Sequence, residues 1–335
     1  MAGFEGELRF RVARRGGGVD QLRIDSSRPL QAARIFRGKT VEQTLTMLPL
    51  LYSVCGTAQA QAAVSALEQA QGGSSDPAVS IAREILVWLE TAREHLWRMM
   101  IDWPVFIGED AARQQLAPLM RLLPETRRAL FAEARAFLPG AVLSVDKKRV
   151  ELQFATLQRA LRREVFGCSS EQWLSMTSPA AIEQWIDQGQ TVAARLLRRV
   201  RDNRAAACGT AEVAGLPPLD GPLLAQCLTG SDADNFIARP TWQGRVYETT
   251  PLARQREQAL IVSSLERHGN GLMTRLLARL VELAQIPAVL RRHLDQLDAA
   301  GGRVESEVLR TSEGVGLAQV EAARGRLIHC VEVTR

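Results

Sequence analysis

The 335-residue sequence has few of the residues that build disulfide frameworks, zinc fingers or membrane spans. It contains five cysteines and four histidines, and no two cysteines form a Cys-x-x-Cys pair. An odd, sparse set of this kind favours a reducing compartment and argues against a disulfide scaffold or a zinc finger. No apolar run reaches the roughly 18 residues of a membrane helix, and the first residues lack the basic-then-apolar order of a signal peptide. We therefore expect a cytoplasmic protein with no membrane span.

Several functional motifs are also missing. Gly314-Val315-Gly316 lacks the third glycine and the following helix of a dinucleotide loop, and no Ser/His/Asp set or His-x-x-x-His pair stands out. The net charge is +5, but the arginines are scattered among acidic residues. The densest basic cluster has helical spacing and predicts a solvated face, so we expect no nucleic-acid partner; its members are Arg195, Arg198, Arg199, Arg201 and Arg204.

The pattern along the chain predicts one mainly α domain over residues 1–335. Alternation of polar and apolar residues indicates β structure in 1–36 and again in 303–335, whereas apolar residues recur with helical spacing through 41–300. Strands at both ends and helices between them predict that the two termini meet in a small antiparallel sheet.

Within the helical region the periodicity predicts many separate segments. Gly269-Asn270-Gly271 is expected to bend or divide one of them, and Pro49 to interrupt another. The predicted helices span 41–52, 56–71, 77–103, 109–121, 125–137, 149–164, 178–203, 251–285 and 287–299, and residues 208–222 read as a loop.

Cys55 lies where a loop is predicted to turn into a helix. Free N–H groups and the positive dipole end at a helix N-terminus favour the thiolate. The surrounding stretch, from Arg37-Gly38 to Glu68, resembles the first metal-binding segment of nickel–iron hydrogenase large subunits. In an ungapped overlay on that family's Arg-Ile-Cys-Gly-Val-Cys motif, Cys55 takes the place of the second cysteine. Tyr52 takes the place of the first cysteine, and Gln59 that of the histidine that follows.

Other segments extend this resemblance in the same order along nearly the whole chain. Phe4 to Leu8 is similar to the family's opening Ile-Glu-Gly strand, and Tyr247 to Arg254 to its Glu-x-Gly-Pro-Leu-Ala-Arg stretch. Gly314 to His329 resembles Gly-x-Gly…Glu-Ala-Pro-Arg-Gly…His, with Ala323 in place of the proline. The set resembles the HupK/HoxV family of hydrogenase maturation proteins, which implies a nickel–iron hydrogenase large-subunit-like fold.

The positions at which this sequence lacks the metal ligands of the enzymes indicate how its function differs from theirs. A nickel–iron centre needs four thiolates, whereas the sequence keeps one near its start and lacks the Asp-Pro-Cys-x-x-Cys-x-x-His motif. The resemblance therefore implies a non-catalytic protein that binds no nickel. It implies a scaffold that holds or transfers the Fe(CN)2(CO) unit of a hydrogenase large subunit, working with a HypC-type chaperone and other Hyp maturation proteins.

The same resemblance assigns the candidate site. Cys55 is the implied iron ligand, and Arg324 matches the arginine that lies against the iron's cyanide groups in the enzymes. A guanidinium is a suitable donor to cyanide nitrogens, and low-spin iron(II) accepts a soft thiolate. Gln59, Glu321 and Glu5 are the secondary ligand-binding candidates. Glu5 matches a glutamate that helps to bind magnesium in the enzymes, but the C-terminal partner of that glutamate is missing, so we expect no magnesium.

Other interpretations stay open from the residues alone. Cys55 is also typical of a small buried apolar residue, and Arg324 of an ion pair with Glu321. The four other cysteines and the four histidines read as structural, core or helix-surface residues. The chain as a whole could be a metal-free docking chaperone that exposes Trp97, Met99, Met100 and Trp103, or a degenerate hydrogenase or thiol redox protein.

Overall fold

A computed structural model of the chain describes residues 6–299 and 314–334, and the protein is mainly helical over them. The longer helices are α1 (Val41–Leu51), α2 (Gly56–Ala70), α3 (Pro77–Trp97), α6 (Leu122–Leu130), α7 (Lys147–Ala160), α9 (Pro179–Gln188), α10 (Val192–Asp202), α11 (Gly221–Thr229), α14 (Ala259–His268) and α15 (Leu272–Ala299). Short helices are α4 (Trp103–Phe106), α5 (Arg113–Leu116), α8 (Ser170–Leu174), α12 (Ala233–Ala238) and α13 (Pro251–Gln255). No helix in the described ranges combines the length and apolar content needed to cross a membrane.

Strands form three separate two-stranded sheets. They are β1 (Leu8–Arg15) with β2 (Gly18–Ser26), β3 (Ala214–Gly215) with β4 (Tyr247–Glu248), and β5 (Val315–Ala322) with β6 (Gly325–Glu332). Small antiparallel sheets thus lie near both ends, as expected. The prediction that the two termini share one sheet is not confirmed, because within 6–299 and 314–334 each terminal hairpin pairs only with itself. The strand expected at 304–310 lies outside the described residues.

Several predicted helix boundaries are wrong for identifiable reasons. The segment 178–203 is two helices, because Thr191 caps a new helix by accepting a hydrogen bond from the N–H of Ala194. The predicted break before 287 does not occur: α15 runs through Pro287, held on both sides by the fully buried Ile286 and Leu290. Tertiary packing there outweighs the helix-breaking tendency of proline. The division at Gly269-Asn270-Gly271 is confirmed, since α14 ends at His268 and α15 starts at Leu272.

Helices α3 and α15 pack against each other at the centre of the molecule. Their facing side chains belong to the main hydrophobic core, which also takes residues from α6, α7, α9 and α10. Met99, Met100 and Trp103 join this core with at most 4% of their surface exposed. They therefore do not form the exposed surface that a docking chaperone would need, although Trp97 is partly exposed.

The C-terminal hairpin sits directly on α2. Helix α2 is rich in buried alanines, and both β5 and β6 contact it. At Gly316 the approach is so close that a Cβ atom would lie 1.7 Å from the carbonyl oxygen of Ala66. Near the hairpin's tip, Ala322 packs against Ala58 of α2 and Val87 of α3. Gly316 of the Gly-x-Gly is thus a packing feature that seats the hairpin on the last turns of α2, while the hairpin's tip lies over the start of that helix.

Candidate functional site

Cys55 occupies the junction between α1 and α2. It ends a short 3-10 turn, Ser53–Cys55, in which its N–H donates to the carbonyl of Tyr52 at 3.1 Å. Gly56 then begins α2 beside Pro49, whose carbonyl oxygen would lie 3.1 Å from a Cβ atom added at that glycine. The Cys55 side chain is half-buried, so the sulfur is held by a defined turn while one side stays open.

The first amides of α2 are not available to the thiol. The buried carboxylate of Glu90 accepts hydrogen bonds from the N–H groups of Thr57 at 2.7 Å and Ala58 at 2.9 Å. Burial raises the pKa of Glu90, and the two N–H bonds oppose that shift. The expectation that free N–H groups at this helix start serve Cys55 is therefore wrong. Glu90 caps the helix, and Cys55 must find its donors elsewhere.

Those donors come from two other side chains. Nη2 of Arg324 lies 3.8 Å from the sulfur of Cys55, although 269 positions separate the two residues. Arg324 lies in the two-residue turn between β5 and β6, and it is exposed. No carboxylate in the described part of the chain pairs with it. The alternative of an ion pair with Glu321 is not observed.

Gln59 approaches the sulfur from α2, one turn after Cys55. Its Nε2 lies 3.7 Å from the sulfur, and its Oε1 lies 2.7 Å from Nε2 of His329 on β6. Burial lowers the pKa of His329 to about 4, so the imidazole is neutral at pH 7 and donates its Nε2 proton to Oε1. That bond fixes the amide of Gln59, and with it the direction of the N–H that points at the sulfur.

Tyr52 stands where the enzymes have their first cysteine. Burial, together with the negative charge of the Cys55 thiolate, raises the pKa of the Tyr52 phenol. The phenol is therefore protonated at neutral pH and adds no anionic ligand. In the described residues no group of three His, Cys, Asp or Glu side chains is arranged to hold a metal ion. The described side chains around the sulfur of Cys55 are therefore two N–H donors, from Arg324 and Gln59.

Glu321 is placed differently from the expectation. Its two oxygens accept from Nη1 of Arg254 at 3.2 Å and from Nε of Arg326 at 2.6 Å. No hydrogen bond to Cys55 or Arg324 is present among the described residues, so the structure gives Glu321 a part in anchoring β5 and β6. Glu5 lies outside the described residues.

A buried ionic network continues inward from Glu321. Arg254 also donates to both oxygens of Glu282, which is 1% exposed and accepts from Nε2 of His95 at 2.7 Å. Burial opposes the charge on Glu282, but the bonds from His95 and Arg254 outweigh it and lower its pKa to about 2. This network joins α3, α13 and α15 to the C-terminal hairpin, and His95 is a core residue, as expected of the histidines.

Sequence reasoning missed His329 and Glu90 as parts of the site. His329 had one usable signal, since it aligns with the histidine that ends the family's last segment. Glu90 had none, because its contacts with Thr57 and Ala58 depend on how α3 crosses α2. The basic cluster of α10 is not a free cationic face: Arg195 binds Glu109, Arg201 binds Glu183 and Asp187, and Arg198 caps backbone carbonyls.

Known proteins give two kinds of match. No protein-family model matches the chain. Hydrogenase expression/formation protein HoxV of Cupriavidus necator is 30% identical over 339 residues, which cover 98% of this chain and 79% of that protein. Hydrogenase expression/formation protein HupV of Azotobacter chroococcum is 29% identical and covers 97% of this chain and 81% of its own length. HupK of Azotobacter vinelandii is 28% identical, with the same coverage of 97% and 81%.

Solved structures match over almost the whole chain. The nickel–iron–selenium hydrogenase of Desulfovibrio vulgaris Hildenborough aligns with a TM-score of 0.64 at 17% identity, covering 99% of this chain and 84% of that one. An NAD+-reducing nickel–iron hydrogenase aligns with a TM-score of 0.62 at 16% identity, covering 98% and 82%.

The fold is that of nickel–iron hydrogenase large subunits. The chain belongs to the family of hydrogenase expression/formation proteins that includes HoxV, HupV and HupK. The resemblance read from the sequence is thereby confirmed.

Proposed function

We propose that this protein is a non-catalytic assembly factor that holds an Fe(CN)2(CO) unit on Cys55 and passes it to a hydrogenase large subunit. The main support is that two side chains place an N–H group within 3.8 Å of the sulfur of Cys55: Arg324 from the distant C-terminal hairpin and Gln59 from the next turn of α2. Cys55 and Arg324 are the two residues that the resemblance to the enzymes assigns to the iron half of the metal centre.

The chemistry of the donors suits such a cargo. A thiolate is a good ligand for low-spin iron(II), and the two cyanides place partly anionic nitrogen atoms at the edge of the unit. Arg324 carries a permanent charge and has no carboxylate partner among the described residues, so its N–H groups are available to those nitrogens. Gln59 adds one neutral donor to the sulfur.

The openness of the site supports transfer over permanent storage. Cys55 is half-buried and Arg324 is exposed, so a bound unit has a route to another protein. A single protein thiolate also leaves the cargo with one bond to break on delivery. A HypC-type chaperone and other Hyp proteins are the proposed source of the unit, and the large subunit is the proposed recipient.

Infrared spectroscopy tests the proposal. Protein purified from a host that makes the iron unit should show cyanide and carbonyl stretching bands, and Cys55→Ser should abolish them with the fold retained by circular dichroism. Cys208→Ser, at an exposed thiol away from the described site, is the matched control and should keep the bands. Bands that persist in Cys55→Ser would refute the assignment of the ligand. Iron-free protein that still supports hydrogenase maturation would favour a metal-free docking role.

A further inference from the structure

The N-terminal hairpin is exposed on both of its faces. Antiparallel pairing sets Phe10 opposite Ile24 and Val12 opposite Leu22, so these four side chains share one face with Leu8. Each of the five keeps more than half of its surface exposed. A face of large apolar side chains on an alternating strand pair normally lies against a core, but in the described residues this one covers nothing.

The C-terminal hairpin, in contrast, has its apolar side chains covered by a helix. Its strands have eight residues each, and it is seated on α2 with Leu317 and Ala322 buried. An isolated two-stranded hairpin is only marginally stable in water, and an exposed apolar strip of this kind marks an interaction site or an aggregation hazard. The apolar face of β1–β2 therefore requires a covering surface.

Charge indicates the nature of that surface. On the opposite face of the hairpin, Asp25 pairs with Arg11 and Arg23. At the tip, beside the turn Gly16-Gly17, the side chains of Arg14 and Arg15 are exposed and have no carboxylate partner within the described ranges. The hairpin, residues 8–26, carries five arginines and two aspartates. A second copy would bring the same positive excess, whereas an acidic surface would complement it.

We propose that the apolar face of β1–β2 is the docking surface for the recipient large subunit, which covers Leu8, Phe10, Val12, Leu22 and Ile24 with an apolar patch and sets carboxylates against Arg14 and Arg15. The identity of the recipient rests on the proposed function, whereas the chemistry of the surface follows from the hairpin alone. Attraction between the carboxylates of the large subunit and Arg14 and Arg15 speeds the encounter, and burial of the apolar face stabilises the complex.

The test measures binding of the full chain to the purified large-subunit precursor of the same organism by titration calorimetry. The double variant Phe10→Ser/Ile24→Ser should weaken binding by about tenfold or more. Arg14→Glu/Arg15→Glu should weaken it several-fold at low salt and less at high salt. The matched control is Gln21→Ser, on the opposite face of the same strand pair, and it should bind as the native chain does.

Four results would overturn the docking proposal. They are no binding by the native chain, equal binding by the Phe10/Ile24 variant, a native dimer that this variant makes monomeric, and slow hydrogen exchange across 8–26 in the isolated monomer. The last two would assign the face to a second copy and to another part of this chain, respectively. Infrared bands separate the two proposals. Hairpin-dependent docking by a protein that shows no infrared bands would refute the iron assignment but not the docking proposal. Infrared bands in a protein that does not dock would refute the docking proposal but not the iron assignment.

Discussion

Two arginines lie between the helical body and the C-terminal hairpin, and their surroundings differ sharply. Arg254 is mostly buried and donates to two carboxylates, Glu282 and Glu321. Arg324 is exposed, and its described contact is to the sulfur of Cys55 at 3.8 Å. An arginine with satisfied carboxylate partners has a structural explanation. Arg324, which lies beside a thiol and has N–H groups without a carboxylate partner in the described structure, is better explained by a ligand that it binds.

The same division separates stability from function in this molecule. Buried, paired charges hold the hairpin in place, whereas the exposed Arg324 beside Cys55 contributes little to the fold and keeps N–H groups available. Substitutions in the buried network should therefore lower the free energy of unfolding, whereas substitutions of Arg324 should change iron binding and leave stability nearly unchanged. The following experiments test that contrast from the largest expected effect on stability to the smallest.

Glu282→Gln should cause the largest loss of stability. It removes the charge between His95 and Arg254 and leaves a buried guanidinium with a neutral neighbour, which should lower the free energy of unfolding by about 3–5 kcal/mol. Urea unfolding measures this loss. Glu151→Gln, which breaks the exposed ion pair with Arg291, is the control and should cost less than about 1 kcal/mol. Equal losses in the two variants would show that the buried network is not what anchors the hairpin.

Gly316→Ala should loosen the seat of the hairpin on α2. Because the new Cβ would overlap the carbonyl of Ala66, one of the two elements must move, at a cost of about 1–3 kcal/mol. The displacement should also separate Arg324 from Cys55 and weaken iron retention. Gly18→Ala, at a strand glycine without a positive φ where the nearest atom to an added Cβ is 3.9 Å away, is the control and should keep native stability. A Gly316→Ala protein of native stability would contradict the close packing.

His329 should make stability depend on pH. Its folded pKa of about 4 lies below the ordinary value of 6.5, so between these values the folded protein binds fewer protons than the unfolded chain. Stability is therefore present above pH 6.5 and is lost as the pH falls, by about 1–2 kcal/mol between pH 7 and pH 5. His329→Gln, which keeps a donor for Gln59, should show a loss smaller by that amount in urea unfolding at the two pH values. An identical pH dependence in both proteins would mean that His329 titrates normally.

Arg324→Met should have the smallest effect on the fold. With an exposed side chain and no carboxylate partner in the described structure, its loss should change the free energy of unfolding by less than about 0.5 kcal/mol. Thermal unfolding in the presence and absence of salt checks this. A loss of several kcal/mol would make Arg324 a structural residue like Arg254 and would remove the contrast between them.

The sequence alone predicted the helical middle of the protein, the β structure near both ends and the division at Gly269. It failed where distant packing decides the outcome. Pro287 stays helical because buried neighbours hold it, and the two terminal hairpins do not pair because the C-terminal one finds its partner in α2. The short helix α8, as well as α11 and α12, was not predicted, since these segments are too brief or too rich in small and polar residues to show a clear period.

The candidate site could be predicted from the sequence only in part. Periodicity and composition singled out Cys55 but gave no hint that Arg324 would meet it; the family resemblance supplied that pairing. His329 and Glu90 act through contacts between elements far apart in sequence; the family resemblance offered a signal for His329, whereas no pattern in the sequence reveals Glu90. Glu321 was expected at the site because it lies in the segment that resembles the family's Glu-Ala-Pro-Arg-Gly, yet its carboxylate accepts from Arg254 and Arg326.

The most direct test of the account is the infrared spectrum of the loaded protein with Arg324 changed. If its guanidinium donates to the cyanides, Arg324→Met should shift the cyanide bands more than the carbonyl band, and Arg324→Lys should give a smaller shift. Arg199→Met, at an exposed arginine of α10, should leave all bands in place. Cyanide bands at the same frequencies in Arg324→Met and the native protein would contradict the claim that Arg324 is held beside Cys55 to bind the cargo.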